Sequence, residues 1–160
     1  GSRPEDALPV LEAGLAVNRR HWSRDEASIL TIQMNIAGCL DRLARQDEAL
    51  GILREIHERR VALHGNLHEA TVLAASNLSF GMVNCGRFAE AKQFLRKQEP
   101  IARSAMGADH SFTLLCSQNL AGVLQVDPDA TRAELVEAVA ILEDVVRRRK
   151  RVLGATHPDT

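Results

Sequence analysis

The sequence has no tyrosine, one tryptophan and four phenylalanines, so aromatic residues make up only 3% of it. So few rings leave little material for an aromatic-lined ligand pocket or a platform on which nucleic-acid bases stack. Cysteine is scarce as well. Cys39, Cys85 and Cys116 are odd in number and far apart, which argues against a disulfide framework and for an intracellular, cytoplasmic setting. Charge of one sign is missing: 20 Lys plus Arg stand against 21 Asp plus Glu, a formal net charge of -1. No global field therefore draws the chain to nucleic acid or an anionic membrane, and neither is expected as a partner. No apolar run approaches the roughly 20 residues of a membrane span, and no signal peptide is visible. Strand patterns, with alternating β-branched residues between turns, are absent too.

Motifs that would carry chemistry are also lacking. There is no His-Glu-x-x-His, no closely spaced cysteine pair and no glycine-rich phosphate loop, so neither metal nor cofactor is expected. No Ser-His-Asp arrangement can be assembled without inventing contacts, and the chain is not expected to be an enzyme. The six histidines invite a metal reading, with His57 and His64 seven apart and His64 and His68 straddling Gly65. Recurrence of His68, His110 and His157 favours a different role at the entry to a helix, such as capping the interhelical turn. The formal glycosylation triplet Asn77, Leu78, Ser79 falls in the middle of an expected helix and is discounted.

What is present is a repeat. Laid over itself at an offset of 42, the chain aligns Asn35-Ile36-Ala37 with Asn77-Leu78-Ser79 and Asn119-Leu120-Ala121. Glu48-Ala49 recurs at Glu90-Ala91, then at Glu137-Ala138 after a five-residue insertion. Leu53, Leu95 and Leu142 follow those alanines by four; Gly65, Gly107 and Gly154 close each unit. The offset reaches backward as well, setting Ala7 and Leu11 on Ala49 and Leu53. One domain over 3–160 is expected, with a partial repeat 3–24, repeats near 25–66, 67–108 and 109–155, and the start of another at 156–160. Gly1-Ser2 looks like a cleavage scar and the chain stops at the opening of a unit, so a piece of a longer protein is expected.

Each unit reads as two helices. Apolar spacing predicts helices near 26–44, 46–64, 68–85, 88–106, 111–126 and 131–153, with a truncated one near 5–20. Ala74, Leu78 and Met82 share a face of one; Ala91, Phe94, Leu95 and Ile101 are the apolar positions of the next. Pro100 should kink that helix or cost it a backbone bond without ending it. Gly86 supplies a turn, and Gly107 is placed as a left-handed C-terminal cap. The insertion 126–131 carries turn chemistry in Asp127-Pro128-Asp129, and Thr131 with Glu134 reads as a capping box. Ala37, Ser79 and Ala121 pair with Ala49, Ala91 and Ala138 as the close contacts inside each hairpin. A hairpin this small cannot bury its stripe alone, whereas stacked neighbours can.

These landmarks resemble the tetratricopeptide repeat, in the 42-residue variety of the kinesin light chain. The residues that carry it are Asn119-Leu120-Ala121, Gly86 to Ala91, and Val152 to Thr160 with its Leu153-Gly154 and His157-Pro158. Departures are Glu69 and Ser111, where the family often has proline, and Leu40, Met82 and Leu124, where the shorter form has an aromatic. The resemblance implies an all-α, right-handed superhelical solenoid of antiparallel helix hairpins. It also implies a scaffold that binds a peptide or partner segment on its concave face. There the family's asparagine, which bonds the main chain of an extended peptide, falls on Asn35, Asn77 and Asn119. The alternative for each is a bond to a loop or to the next repeat. Thr31, Leu73 and Leu115 stand where chaperone-binding members carry a basic clamp, so that clamp is not expected. The implied groove takes Met34, Leu73, Ser76, Phe80, Val83, Leu115 and Gln118, with Arg42 and Asn84 toward one edge, and suits a partly apolar segment. Phe80 replaces the Gly38 and Gly122 of its sister units, either to touch a ligand or to fill space between helices.

Two further functions compete with the binding scaffold. One is a structural or self-associating segment, a homo-oligomer joined through truncated ends. Leu8, Val10, Leu11, Leu15 and Val17 at one end, and Val139, Leu142, Val145, Val146 and Val152 at the other, are expected to lack cover. The other is a regulatory repeat region of a larger signalling protein. The basic run Arg147 to Arg151 could be a nuclear-import or nucleic-acid patch. A charged last turn favoured by the helix dipole is the plainer account, and Arg59 and Arg60 match it in the first unit.

Overall fold

The computed structural model describes residues 3–21 and 26–154. Among them are seven helices and no strand: α1 (Pro4–His21), α2 (Glu26–Arg42), α3 (Gln46–His64), α4 (Glu69–Asn84), α5 (Phe88–Met106), α6 (Ser111–Val126) and α7 (Arg132–Leu153). The helices differ from the expected ranges by at most a residue or two at their ends. Cys85 caps α4 rather than belonging to it, and His157 lies outside the described residues.

Helix starts are fixed by side chains. His68 and His110 each hold an extended backbone conformation, and their Nδ1 atoms accept from the backbone N–H of Ala70 (3.2 Å) and Phe112 (3.3 Å). An imidazole whose Nδ1 accepts is neutral and carries its proton on Nε2. Thr131 and Glu134 close a reciprocal capping box at the start of α7. At the other ends, Gly65, Gly107 and Gly154 donate N–H bonds to Val61, Arg103 and Lys150 carbonyls. Gly107 departs from the left-handed cap expected of it. Its φ of 90° comes with an extended ψ of 160°, a combination essentially confined to glycine. Pro100 lies inside a continuous α5, as its apolar pattern requires.

The two short turns inside hairpins are alike. Arg45 N–H donates to Leu40 O at 2.9 Å after α2, and Arg87 N–H to Met82 O at 2.8 Å after α4. Gly86 has a φ of 69°, and Ala44, its equivalent one unit earlier, has 58°.

Each helix packs against the next in order, and α4 also touches α6. Ala37, Ala49, Ala91, Ala121 and Ala138 are all buried, as is Ser79, whose hydroxyl donates to Ser76 O at 2.7 Å. Small residues at these places bring helix backbones close, and Leu40, Met82 and Leu124 fill the core beside them. Three expectations are corrected by helix phase. Ala102, seven residues after Leu95, is the buried one, and Ile101 turns outward. Leu8 and Val145 are buried as well, so neither belongs to an uncovered end.

Ion pairs tie successive units along their second helices. Arg54 of α3 pairs with Glu90 of α5, and Arg96 of α5 with Glu137 of α7. Lys92 of α5 is held between Asp127 (2.8 Å) and Glu134 (2.6 Å), which clamps the insertion onto the neighbouring unit. The basic run at the end of α7 is engaged in the same manner. Arg148 and Arg151 meet Asp109, Arg147 and Arg148 meet Asp144, and Arg149 donates to Gln118.

Candidate functional site

The first helices of the units, α2, α4 and α6, share an open face on which three hollows adjoin. The first, about 640 Å³, lies between α1 and α2, and Asp6, Val10, Asn35, Gly38 and Arg42 are among its walls. The second, about 250 Å³, lies between α2 and α4, with Met34, Gly38, Asp41, Asn77, Phe80 and Asn84 around it. The third, about 580 Å³, lies between α4 and α6, with Ser76, Asn77, Phe80, Gln118 and Asn119 around it. Met34 and Gly38 belong to both the first and second; Asn77 and Phe80 belong to both the second and third. The surface is therefore one groove crossing the first helices in turn. It exists because residues spaced by three and four, 34-38-41 and 77-80-84, stand on one side of each helix.

Ten of the twelve residues expected in such a groove line these hollows: Asn35, Asn77, Asn119, Met34, Arg42, Ser76, Phe80, Val83, Asn84 and Gln118. Leu73 and Leu115 do not. Each is one helical turn before its asparagine, and the hollows open toward the later turns. Leu73 is 45% exposed, and Leu115 is half-buried. Thr31, at the same level of α2, donates to Ala27 O. Phe80 is 63% exposed, so it does not fill space between helices. Absent from the expected set were Asp41, Gln46, Gln125, Val126 and Leu142, which also line the groove. A step of about two turns along each first helix from its asparagine would have found Asp41, Gln125 and Val126. Gln46 and Leu142 come from α3 and α7, which only packing brings near.

The asparagines are not equivalent. Asn77 Nδ2 donates to Met34 Sδ at 3.2 Å, and Asn119 Nδ2 donates to Ser76 Oγ at 2.7 Å. Both bonds reach from one first helix to the preceding one, 43 residues back. A thioether can only accept, so the Asn77 nitrogen must turn to Met34 and its oxygen away from it. Two turns further on, Asn84 Nδ2 donates to Asp41 Oδ1 at 2.8 Å, again 43 residues back.

A second pair of hollows, about 260 and 620 Å³, lies between successive second helices. Their walls match unit for unit: Arg54 and Arg96, Leu78 and Leu120, Glu90 and Glu137, Phe94 and Ile141. In each, the arginine already pairs with the glutamate across the gap. His57 sits beside the smaller one, edge-on to Phe94 with ring centroids 5.4 Å apart. Burial pushes its pKa down, toward the neutral ring. His64 stacks on His68 at 4.3 Å. Among the described residues, no three His, Cys, Asp or Glu side chains are grouped to hold a metal ion. Cys116 is buried, which pushes its thiol up to about 11; Cys39 and Cys85 are half-buried against the core. No described helix is long and apolar enough to cross a membrane.

Comparison with known proteins agrees with this architecture. Residues 130–159 match the tetratricopeptide repeat family. No curated protein matches the chain by sequence. Among solved structures, it is similar to the nearly identical TPR-like repeats assigned to a putative kinesin light chain of Podosopora anserina. The TM-score is 0.80 at 19% identity, covering 93% of this chain and 68% of that one. A single-substitution form of the same repeats gives a TM-score of 0.82 at 19% identity, covering 94% and 68%. At this identity the likeness concerns the fold. Tetratricopeptide repeats in general mediate protein–protein interaction, and scaffolds of this type are typically non-enzymatic. Residues 130–159 carry a tetratricopeptide-repeat match, and the helices of the chain are arranged as in kinesin-light-chain-like repeats.

Proposed function

We propose that this chain is a protein-binding scaffold that holds an extended peptide or partner segment in the groove across α2, α4 and α6, the concave face of the stack. The observation that carries the reading is the continuity of the three hollows, joined through Met34, Gly38, Asn77 and Phe80. An extended chain lying across the helices would meet Asn35, Asn77 and Asn119 in turn. Asn77 would offer it an amide oxygen, because its nitrogen is committed to Met34. That oxygen would accept from a main-chain N–H of the partner. Three free cysteines favour an intracellular, reducing setting for this exchange. A second reading, self-association, draws on exposed Leu135, Val139 and Val146 along α7.

The test starts from peptides selected on the chain out of a random display library. The affinity of a selected peptide is then measured for the wild type and for an Asn77→Ala, Asn119→Ala double variant, alongside melting curves. Each lost amide contact should weaken binding by about 0.5–1.5 kcal/mol. The bond to Met34 is exposed and that to Ser76 only partly buried, so stability should fall by less than about 1 kcal/mol. Unchanged affinity in a variant that melts early would overturn the groove reading and leave the asparagines as ties between units.

A further inference from the structure

We infer that Phe80 sets the specificity of the groove by splitting it into two largely apolar hollows on either side of α4. The segment it takes then carries two apolar, uncharged side chains three residues apart in a polyproline-II-like conformation. This inference rests on the groove reading above.

Phe80 differs from its surroundings in a way the repeat makes measurable. At the equivalent positions α2 and α6 carry Gly38 and Gly122, so only α4 raises a side chain there. The ring is 63% exposed and walls both the second and third hollows. A large ring left in water on a helix crest, where core packing gains nothing from it, gives an arriving apolar group a surface to cover. Covering an aromatic or aliphatic side chain fully stabilises a complex far more than adding a solvated contact at the rim.

The chemistry of the walls decides what covers it. No ionisable residue lines the third hollow: Val83, Val126 and Leu142 supply its apolar surface, and Asn119 and Gln118 its polar edge. In the second hollow the one charged group is Asp41, and its Oδ1 already accepts from Asn84. A charged side chain buried in the third hollow would lose its water with no opposite charge to replace it. An acidic one in the second would also face Asp41. Neutral apolar side chains match both.

Spacing follows from helix geometry. The two hollows flank one helix, so their centres are about one interhelical distance apart, roughly 8–10 Å. A polyproline-II segment returns a side chain to the same side every three residues, a rise of about 9 Å. A β-strand does so every two residues, about 6.6–6.8 Å, which is too short, or every four, about 13 Å, which is too long. A polyproline-II main chain is also free of internal hydrogen bonds, so its N–H groups remain available to the Asn77 oxygen.

The experiment uses fluorescein-labelled nine-residue peptides of Gln, Ser and Pro with two leucines set two, three or four residues apart. A fourth peptide keeps spacing three with Asp in place of one leucine. Anisotropy titrations against the whole chain should show spacing three binding about tenfold more tightly than the other spacings and than the Asp peptide, the worth of one buried leucine. Phe80→Ala should remove that preference, bringing all spacings within about twofold. Gly122→Phe, at a position where an added Cβ meets nothing within 4 Å, should fill the third hollow and weaken the spacing-three peptide by about tenfold. Helical content and melting curves confirm that both variants fold. Equal affinity across the spacings, an Asp peptide that binds as well, or a preference that survives Phe80→Ala each overturns the inference. So does a series in which no peptide binds. The groove reading is judged separately, by the display-selected peptides and the asparagine variant.

Discussion

At the residue scale, the turn after α2 sets an L-amino acid where its twin has glycine. Ala44 has a φ of 58° and Gly86 a φ of 69°, and each turn is closed by a matching N–H bond, from Arg45 and Arg87. The left-handed region costs an L-residue about 1–2 kcal/mol. Glycine is free of that cost but gives the unfolded chain more entropy to lose. Ala44→Gly should therefore raise stability by up to about 1 kcal/mol, seen as a higher denaturant midpoint at unchanged slope. A lower midpoint would mean the turn carries no strain. Recurrence made the histidines before α4 and α6 legible, because a side chain repeated at one place in the unit has a job tied to that place. The strain at Ala44 was not legible, since alanine is compatible with helix and turn alike. Nor was the orientation of Asn77: the amide's direction depends on Met34, which lies 43 residues away in the sequence.

The element most exposed to acid is α7 with the insertion that leads into it. Lys92 of α5 bridges Asp127 and Glu134, and all three side chains have low exposure. Its hydrogen bond, helped by Thr131, holds the Glu134 carboxyl down at about 2, and the same lysine lowers Asp127. In the unfolded chain both would titrate near the usual values, roughly 4. A carboxylate depressed in the fold stabilises it fully above that range and loses the contribution as pH falls toward the folded value. Amide exchange over 127–135, compared with the unfolded-chain rate at each pH, should thus lose protection between about pH 4.5 and pH 2. Protection in α4 should persist further into that range. Lys92→Met should remove the difference between the two segments; an unaltered pH dependence in that variant would exclude the bridge as its source. The turn and capping box of this insertion were readable from Asp127-Pro128-Asp129 and from Thr131 with Glu134. The lysine that clamps them sits on another helix and gave no local signal.

As a whole, the molecule is a row of hairpins whose stability is a sum over neighbours, and its last described helix has a neighbour on one side only. Leu135, Val139, Leu142 and Val146 follow one stripe of α7. Three of them are exposed, Val139 by 53%, and Leu142 is half-buried. A continuous stripe of this kind favours association. Light scattering over a concentration series should show an average mass rising above that of the monomer. Val139→Lys with Val146→Lys should return it to the monomer value, and a strict monomer in the wild type at every accessible concentration would refute the expectation. At the opposite end the burial of Leu8 leaves Val10 and Val17 as the exposed large apolar residues among the described part of α1.

The sequence by itself determined the helices, their order and the hairpin contacts. Those depend on spacing within a short window and on landmarks that recur 42 residues apart, both of which are written in one dimension. Asn35, Asn77 and Asn119 were found for the same reason. Only the tertiary structure decided which turns of each first helix open into the groove. That choice passes over Leu73 and Leu115, and brings in Asp41, Val126 and Leu142. It also decided that Phe80 stands in solvent and that Ile101 gives its buried place to Ala102. Each of these depends on helix phase and on how far one helix is displaced along its neighbour. Those quantities arise when side chains from distant segments pack together, and no local pattern encodes them.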